Sequence, residues 1–150
     1  MKTLDKPSPI SQDEQIVVFR LGPELYGVDI FRVSEIVRPQ ATTRLPQSES
    51  HVRGLIDLRG KTIPVLDLGS RLGLPAAEAS DKSRVVVVEG ETGLVGLAVD
   101  EVREVLTIDA AQTEAPPAAA GQGSGEYVRG VTKRADRLIV LLDLDRALAG

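Results

Sequence analysis

The chain has 150 residues, 42% of them hydrophobic but only 3% aromatic, so Val, Leu and Ile must fill its interior; β-branched side chains suit pleated sheets. A net charge of −4, with no long basic block, argues against nucleic acid as the main partner. The absence of cysteine and the single histidine, His51, remove disulfides, thiolate chemistry and nearly every zinc-site pattern.

No apolar run approaches the roughly 20 residues that a membrane-crossing helix needs. The N-terminus lacks the positive-then-apolar layout of a secretory signal. A soluble cytoplasmic protein without direct membrane insertion is expected.

Residues 1–14 are polar and without periodicity, and the sequence predicts a flexible leader there, with the ordered domain spanning 15–150. Gln15–Leu21 reads as a strand and residues 25–30 as the return strand of a hairpin across a Gly22-Pro23 turn. The next run, Phe31–Val37, suits either a third strand or a short helical turn. Pro39 and Pro46 bracket a loop. Two strand-like runs then flank the turn Arg59-Gly60-Lys61, and Pro64 inside the second predicts an edge strand or a bulge. Residues 69–74 suit one helical turn. The clearest hairpin joins Val85-Val86-Val87-Val88 to the apolar run ending at Val99, through Gly90-Glu91-Thr92-Gly93. A Pro/Gly/Ala-rich linker covers 115–126. Residues 137–144 form a last buried strand, and 145–150 a short helix or tail.

The chain repeats itself. Gly27 to Ile30 aligns with Gly96 to Val99, Val33 with Val102, Glu35 with Glu104 and Ile36 with Val105, all 69 residues apart. Further on, Val52-Arg53-Gly54 aligns with Val128-Arg129-Gly130, and Leu66-Asp67-Leu68 with Leu142-Asp143-Leu144, both 76 apart. Pro46 pairs with Pro116 at 70, so the extra residues fall in the linker, where insertions are tolerated. Short strands between Gly and Pro turns favour two small barrels that share an interior, with a groove between them as a natural site.

Catalytic patterns fail when tested. Gly54 to Thr62 resembles a phosphate-binding loop but has five residues between its glycines where four are needed, and Pro64 opposes the following helix. The 121–125 glycines have the wrong spacing for a dinucleotide fingerprint. His51 lacks evident co-ligands, and Asp67 and Asp143 read as turn or helix caps. Neither an enzyme nor a cofactor is expected.

The segments 19–37, 54–68, 85–106, 127–131 and 138–144, in this order, resemble the CheW family over about residues 15–149. Leu58-Arg59-Gly60 and the Ile63 to Leu68 run carry the resemblance most specifically. Asp57 departs from the Asn often found there, with a local hydrogen bond as the feature affected. The resemblance implies two five-stranded SH3-like barrels around a shared hydrophobic core. It also implies a non-enzymatic adaptor coupling the cytoplasmic tip of methyl-accepting chemotaxis receptors to the regulatory domain of the histidine kinase CheA, recruited to membrane-associated arrays. A non-flagellar chemosensory pathway would use the same residues, and a small-ligand sensor using the groove is the rival from another class.

On this resemblance the receptor-binding residues are Val33, Glu35, Arg59, Gly60 and Val105, and the kinase-binding ones Leu45, Val52 and Ile56. Arg59-Gly60 aligns with Ala135-Asp136 in the second copy, so this turn is not needed merely to build the unit. Glu35 is the candidate carboxylate partner of Arg59. Val33 and Val105 are expected to line a groove for a helical receptor tip, though ordinary core packing suits a valine equally well.

Overall fold

In the computed structural model, which describes residues 13–46, 51–75, 79–115 and 127–149, the first expected hairpin forms as β1 (Glu14–Leu21) and β2 (Glu24–Asp29). Most of the expected leader, Glu49 and Ser50, and residues 116–126 of the expected linker lie outside the described residues. Both readings of the next run are realised in succession, as a 3-10 turn over Ile30–Arg32 followed by β3 (Val33–Val37). The Asp29 side chain accepts from the Phe31 N–H at 2.9 Å and so caps that turn.

The second hairpin comprises β4 (Val52–Leu58) and β5 (Lys61–Asp67), followed by a helical turn α1 (Leu68–Arg71). The valine-rich hairpin is β6 (Arg84–Gly90) and β7 (Gly93–Val99). Then follow β8 (Glu101–Ile108), the two-residue β9 (Thr113–Glu114), β10 (Val128–Arg134), β11 (Arg137–Leu142) and the helix α2 (Leu144–Leu148).

These strands form a six-stranded sheet, in the order β8-β1-β2-β11-β10-β9, and a five-stranded sheet, in the order β3-β6-β7-β5-β4. The mainly β architecture expected from the sequence is present, but the repeat does not give one sheet per copy. Each copy's first hairpin joins the later strands of the other copy. Under the repeat, β8-β1-β2-β11-β10 corresponds strand for strand to β3-β6-β7-β5-β4. Even the parallel contacts correspond, β11 with β2 and β5 with β7.

Three apolar clusters follow from this exchange. Ile16, Val18, Leu106, Ile139 and Leu141 fill the inner face of the six-stranded sheet. Ile56, Leu58, Ile63, Val65, Val85 and Val87 fill that of the other. Val17, Phe19, Leu21, Val86, Val88, Leu97 and Val99 lie between the sheets and form the shared core. Strand alternation therefore sends Val85 and Val87 one way and Val86 and Val88 the other, and all four are buried. Each contributes about 1.5–3 kcal/mol relative to an exposed valine. Gly27 and Gly96 let the hairpins lie close, since a Cβ there would come within 2.7 Å of Ile16 and of Val85, respectively.

Pro64 is a correction. β5 is an interior strand, between β7 and β4. Counting from the two-residue turn, the Leu55↔Pro64 pair is a non-hydrogen-bonded one, and parallel pairing with β7 starts at Val65. Neither neighbour asks the proline for a donor.

Candidate docking site

The β4–β5 turn places its two central residues at positive φ, 52° at Arg59 and 85° at Gly60. Such a pair matches the twist of a two-residue hairpin, and glycine adopts it without a Cβ clash. Asp57 accepts from the Gly60 N–H at 2.9 Å, so the residue that departs from the family pattern still ties the turn.

Arg59 projects from this turn and pairs with the Glu35 carboxylate on β3. The arginine side chain is 71% exposed and the glutamate 25%. β3 and β4 are opposite edges of their sheet, so the pair shows that the sheet curls until its two ends meet. An exposed, solvent-screened pair of this kind adds little stability; its effect is to fix where the guanidinium points. The equivalent second-copy positions are Glu104 and Ala135, and no such pair can form there.

Val33 is half-buried against the shared core, whereas Val105 is 51% exposed on β8. They stand on the edge strands of different sheets. Sequence reasoning missed two neighbours. Ile36, the repeat equivalent of Val105, is exposed, and Phe31 is 84% exposed. Phe31 and Thr107 of β8 line one depression, which places this corner beside the β8 edge. The correspondence between Ile36 and Val105 was the available signal for the first; a lone Phe at a strand corner gave none for the second.

Among the residues expected to face a kinase, Leu45 is exposed and Val52 half-buried, but Ile56 is only 3% exposed. Ile56 points inward with Leu58 and Ile63 because β4 alternates, so it is a core residue and not a surface one. It also forms part of the wall of a cavity with Val65, Val85, Ala98, Arg53 and Arg84, of about 80 Å³. Ligand sites run to about 300–1,000 Å³, so this cavity gives a small-ligand sensor little room.

The recurring aspartates cap helices. Asp67 accepts from the Ser70 N–H at 3.1 Å and Asp143 from the Arg146 N–H at 3.1 Å. The His51 carbonyl accepts from the Asp67 N–H at 2.7 Å, as that of Tyr127 does from Asp143 at 2.8 Å. His51 therefore stands in a repeated backbone contact. Gly54 to Lys61 is a hairpin and not a phosphate cradle. Among the described residues no group of three or more His, Cys, Asp or Glu could hold a metal ion, and no helix is long and apolar enough to cross a membrane.

Residues 15–150 match the family described as CheW-like domain. The chain belongs to the CheW-like domain family. It is 30% identical over 139 residues to the chemotaxis protein CheW of Bacillus subtilis strain 168, covering 93% of this chain and 89% of that one. With the chemotaxis protein CheW of Rhizobium meliloti strain 1021 it shares 33% over 131 residues, covering 87% and 84%. The fold superimposes on the crystal structure of the scaffolding protein TtCheW from Thermoanaerobacter tengcongensis with a TM-score of 0.84. Identity there is 39%, over 91% of this chain and 93% of that one. As a CheW-like protein the chain is a chemotaxis coupling adaptor, not an enzyme.

Proposed function

We propose that this CheW-like adaptor joins the cytoplasmic tip of methyl-accepting chemotaxis receptors to the regulatory domain of a CheA-like histidine kinase, in the cytoplasm at membrane-associated receptor arrays. Val33, Glu35, Arg59, Gly60 and Val105 meet the receptor. Leu45 and Val52 meet the kinase, over a hairpin that Ile56 supports from inside. The observation that carries this reading is the Arg59–Glu35 pair. It sits on the turn that differs between two otherwise equivalent hairpins, and it holds a well-exposed guanidinium above an edge strand. An adaptor needs such an ordered and accessible donor for a partner carboxylate.

The test is binding of a receptor signalling fragment and of the kinase regulatory domain, measured separately. Arg59→Ala and Glu35→Arg are expected to weaken the receptor fragment by about tenfold or more while leaving kinase affinity and melting temperature near wild type. Wild-type receptor affinity in both variants would defeat the assignment of this face.

A further inference from the structure

The corner at which each edge strand begins is built twice, with its charges exchanged. In the six-stranded sheet Phe19 pairs with Val102 and Arg20 with Glu101. In the five-stranded sheet Val33 pairs with Val88, which sets Arg32 opposite Glu89. The 69-residue offset maps Arg20 onto Glu89 and Arg32 onto Glu101. An arginine thus stands on the inner strand of one corner and immediately before the edge strand of the other.

Both arginines are engaged. Arg20 donates from Nε to Glu101 at 3.2 Å and from Nη1 to the Gly22 carbonyl at 2.9 Å. Asp100, 3.8 Å from Arg20, accepts from the Gly22 N–H at 2.6 Å. Arg32 donates to the Glu89 carbonyl at 3.1 and 2.6 Å and to Asp145 at 2.9 Å. That single side chain ties the start of β3, the end of β6 and the first turn of α2. The hydrogen bond from Arg20 holds the Glu101 carboxyl below the usual glutamate range, against desolvation, with smaller help from Lys82 and Arg103.

Just beyond each clamp the ladder slips by one residue. Val33 pairs with Val88 and Glu35 with Val87, which leaves Ser34 as the bulged residue. Val102 pairs with Phe19 and Glu104 with Val18, which leaves Arg103 as its counterpart. A bulge re-aims the side chains that follow it. Here those include Glu35 and Ile36 on one edge and Glu104 and Val105 on the other. An edge strand is paired on one side only, and a slip of one residue turns every following side chain to the opposite face.

We propose that the Arg20–Glu101 and Arg32–Glu89/Asp145 clamps are positioning elements of the docking site: they lock the two bulges in place and so decide that Glu35 and Val105 face the partner. This rests on the docking reading above. Because the clamp side chains are partly exposed, they contribute little to overall stability. Their loss acts on register.

The experiment compares Arg32→Ala and Glu101→Ala with the conservative Arg32→Lys and Glu101→Gln in the full chain. It reads amide hydrogen exchange, melting temperature and affinity for a receptor signalling fragment. The alanine variants are expected to exchange faster at residues 34–37 or 103–106, to bind about fivefold more weakly and to melt near wild type, with the conservative variants recovering most of the affinity. Wild-type exchange and affinity in both alanine variants would overturn the proposal, as would faster exchange spread over the whole shared core. If the wild-type chain fails to bind the fragment, the docking reading falls, and edge-confined exchange then decides the clamps alone.

Discussion

The β4–β5 and β10–β11 hairpins hold equivalent places in the two sheets, share a bulge at Arg53 and Arg129 just before Gly54 and Gly130, and end in capping aspartates. They differ at the tip. The first presents Asp57, Arg59 and Gly60 and reaches across to Glu35; the second carries Lys133, Ala135 and Asp136, and Ala135 takes a φ of 56°. An alanine in a left-handed conformation gains nothing chemically, so the second tip retains the backbone shape of the first without its arginine. The shape belongs to the fold, and on the proposed docking reading the arginine belongs to the partner. A repeat supplies its own control: what both copies keep is structural, and what one copy alone keeps is the place to look for recognition.

Three experiments would break or sharpen this comparison. The largest effect is expected at the glycine that follows the shared bulge. A Cβ on Gly54 would sit 2.5 Å from the Thr43 carbonyl oxygen, at a φ of 144°. Gly54→Ala should therefore cost about 3 kcal/mol or more in urea unfolding. Gly130→Ala, with a 2.7 Å approach to the Glu114 carbonyl and no positive φ, should cost less. Equal losses would mean that strain at Gly54 adds nothing.

An intermediate effect of opposite sign is expected at the tips. Ala135→Gly and Arg59→Gly each relieve a non-glycine residue at positive φ and should raise stability by about 1 kcal/mol. The second should also lose receptor binding, whereas the first should not. Parallel loss of binding in both would remove the distinction between the hairpins.

The smallest effect is a pH dependence at the corner clamps. Arg20 lowers the Glu101 pKa, so this contact adds stability above the ordinary glutamate range, and that stability is lost as pH falls through the depressed value. The difference in urea midpoint between wild type and Glu101→Gln should be full at neutral pH and shrink in acid. At the other corner two of the three Arg32 hydrogen bonds go to a backbone carbonyl, which has no proton to gain.

Much of this was legible in the sequence because it rests on local physics. The valine run, the Gly-bounded turns and the Leu-Asp-Leu ends each announce their role within a few residues, and the repeat offsets fixed which strands correspond. The exchange of hairpins was not legible. A repeat says that β1 is equivalent to β6, but β1 meets the same kind of neighbour in β3 of its own copy as in β8 of the other. β8 is hidden as a strand, since Glu104 and the exposed Val105 interrupt the apolar alternation of Val102, Leu106 and Ile108. The inward place of Ile56 is legible in the alternation of Gly54, Ile56 and Leu58. The Glu35–Arg59 pair followed from the family resemblance and not from spacing. The clamps do leave a signal in the sequence: charges that swap sign between copies mark residues that face each other.

The exchanged hairpins also set the order in which the molecule becomes whole. β1 and β2 are made first, yet their neighbours are β8 and β11, and β11 ends at Leu142. While the chain is being synthesised, the first hairpin waits with both edges open until β8 emerges, and with the β2 edge open until β11 does. Contacts so distant in sequence favour slow, concerted folding, so the early strands spend that interval as exposed templates for pairing with other chains. A truncated product would thus be a sticky fragment and not half an adaptor.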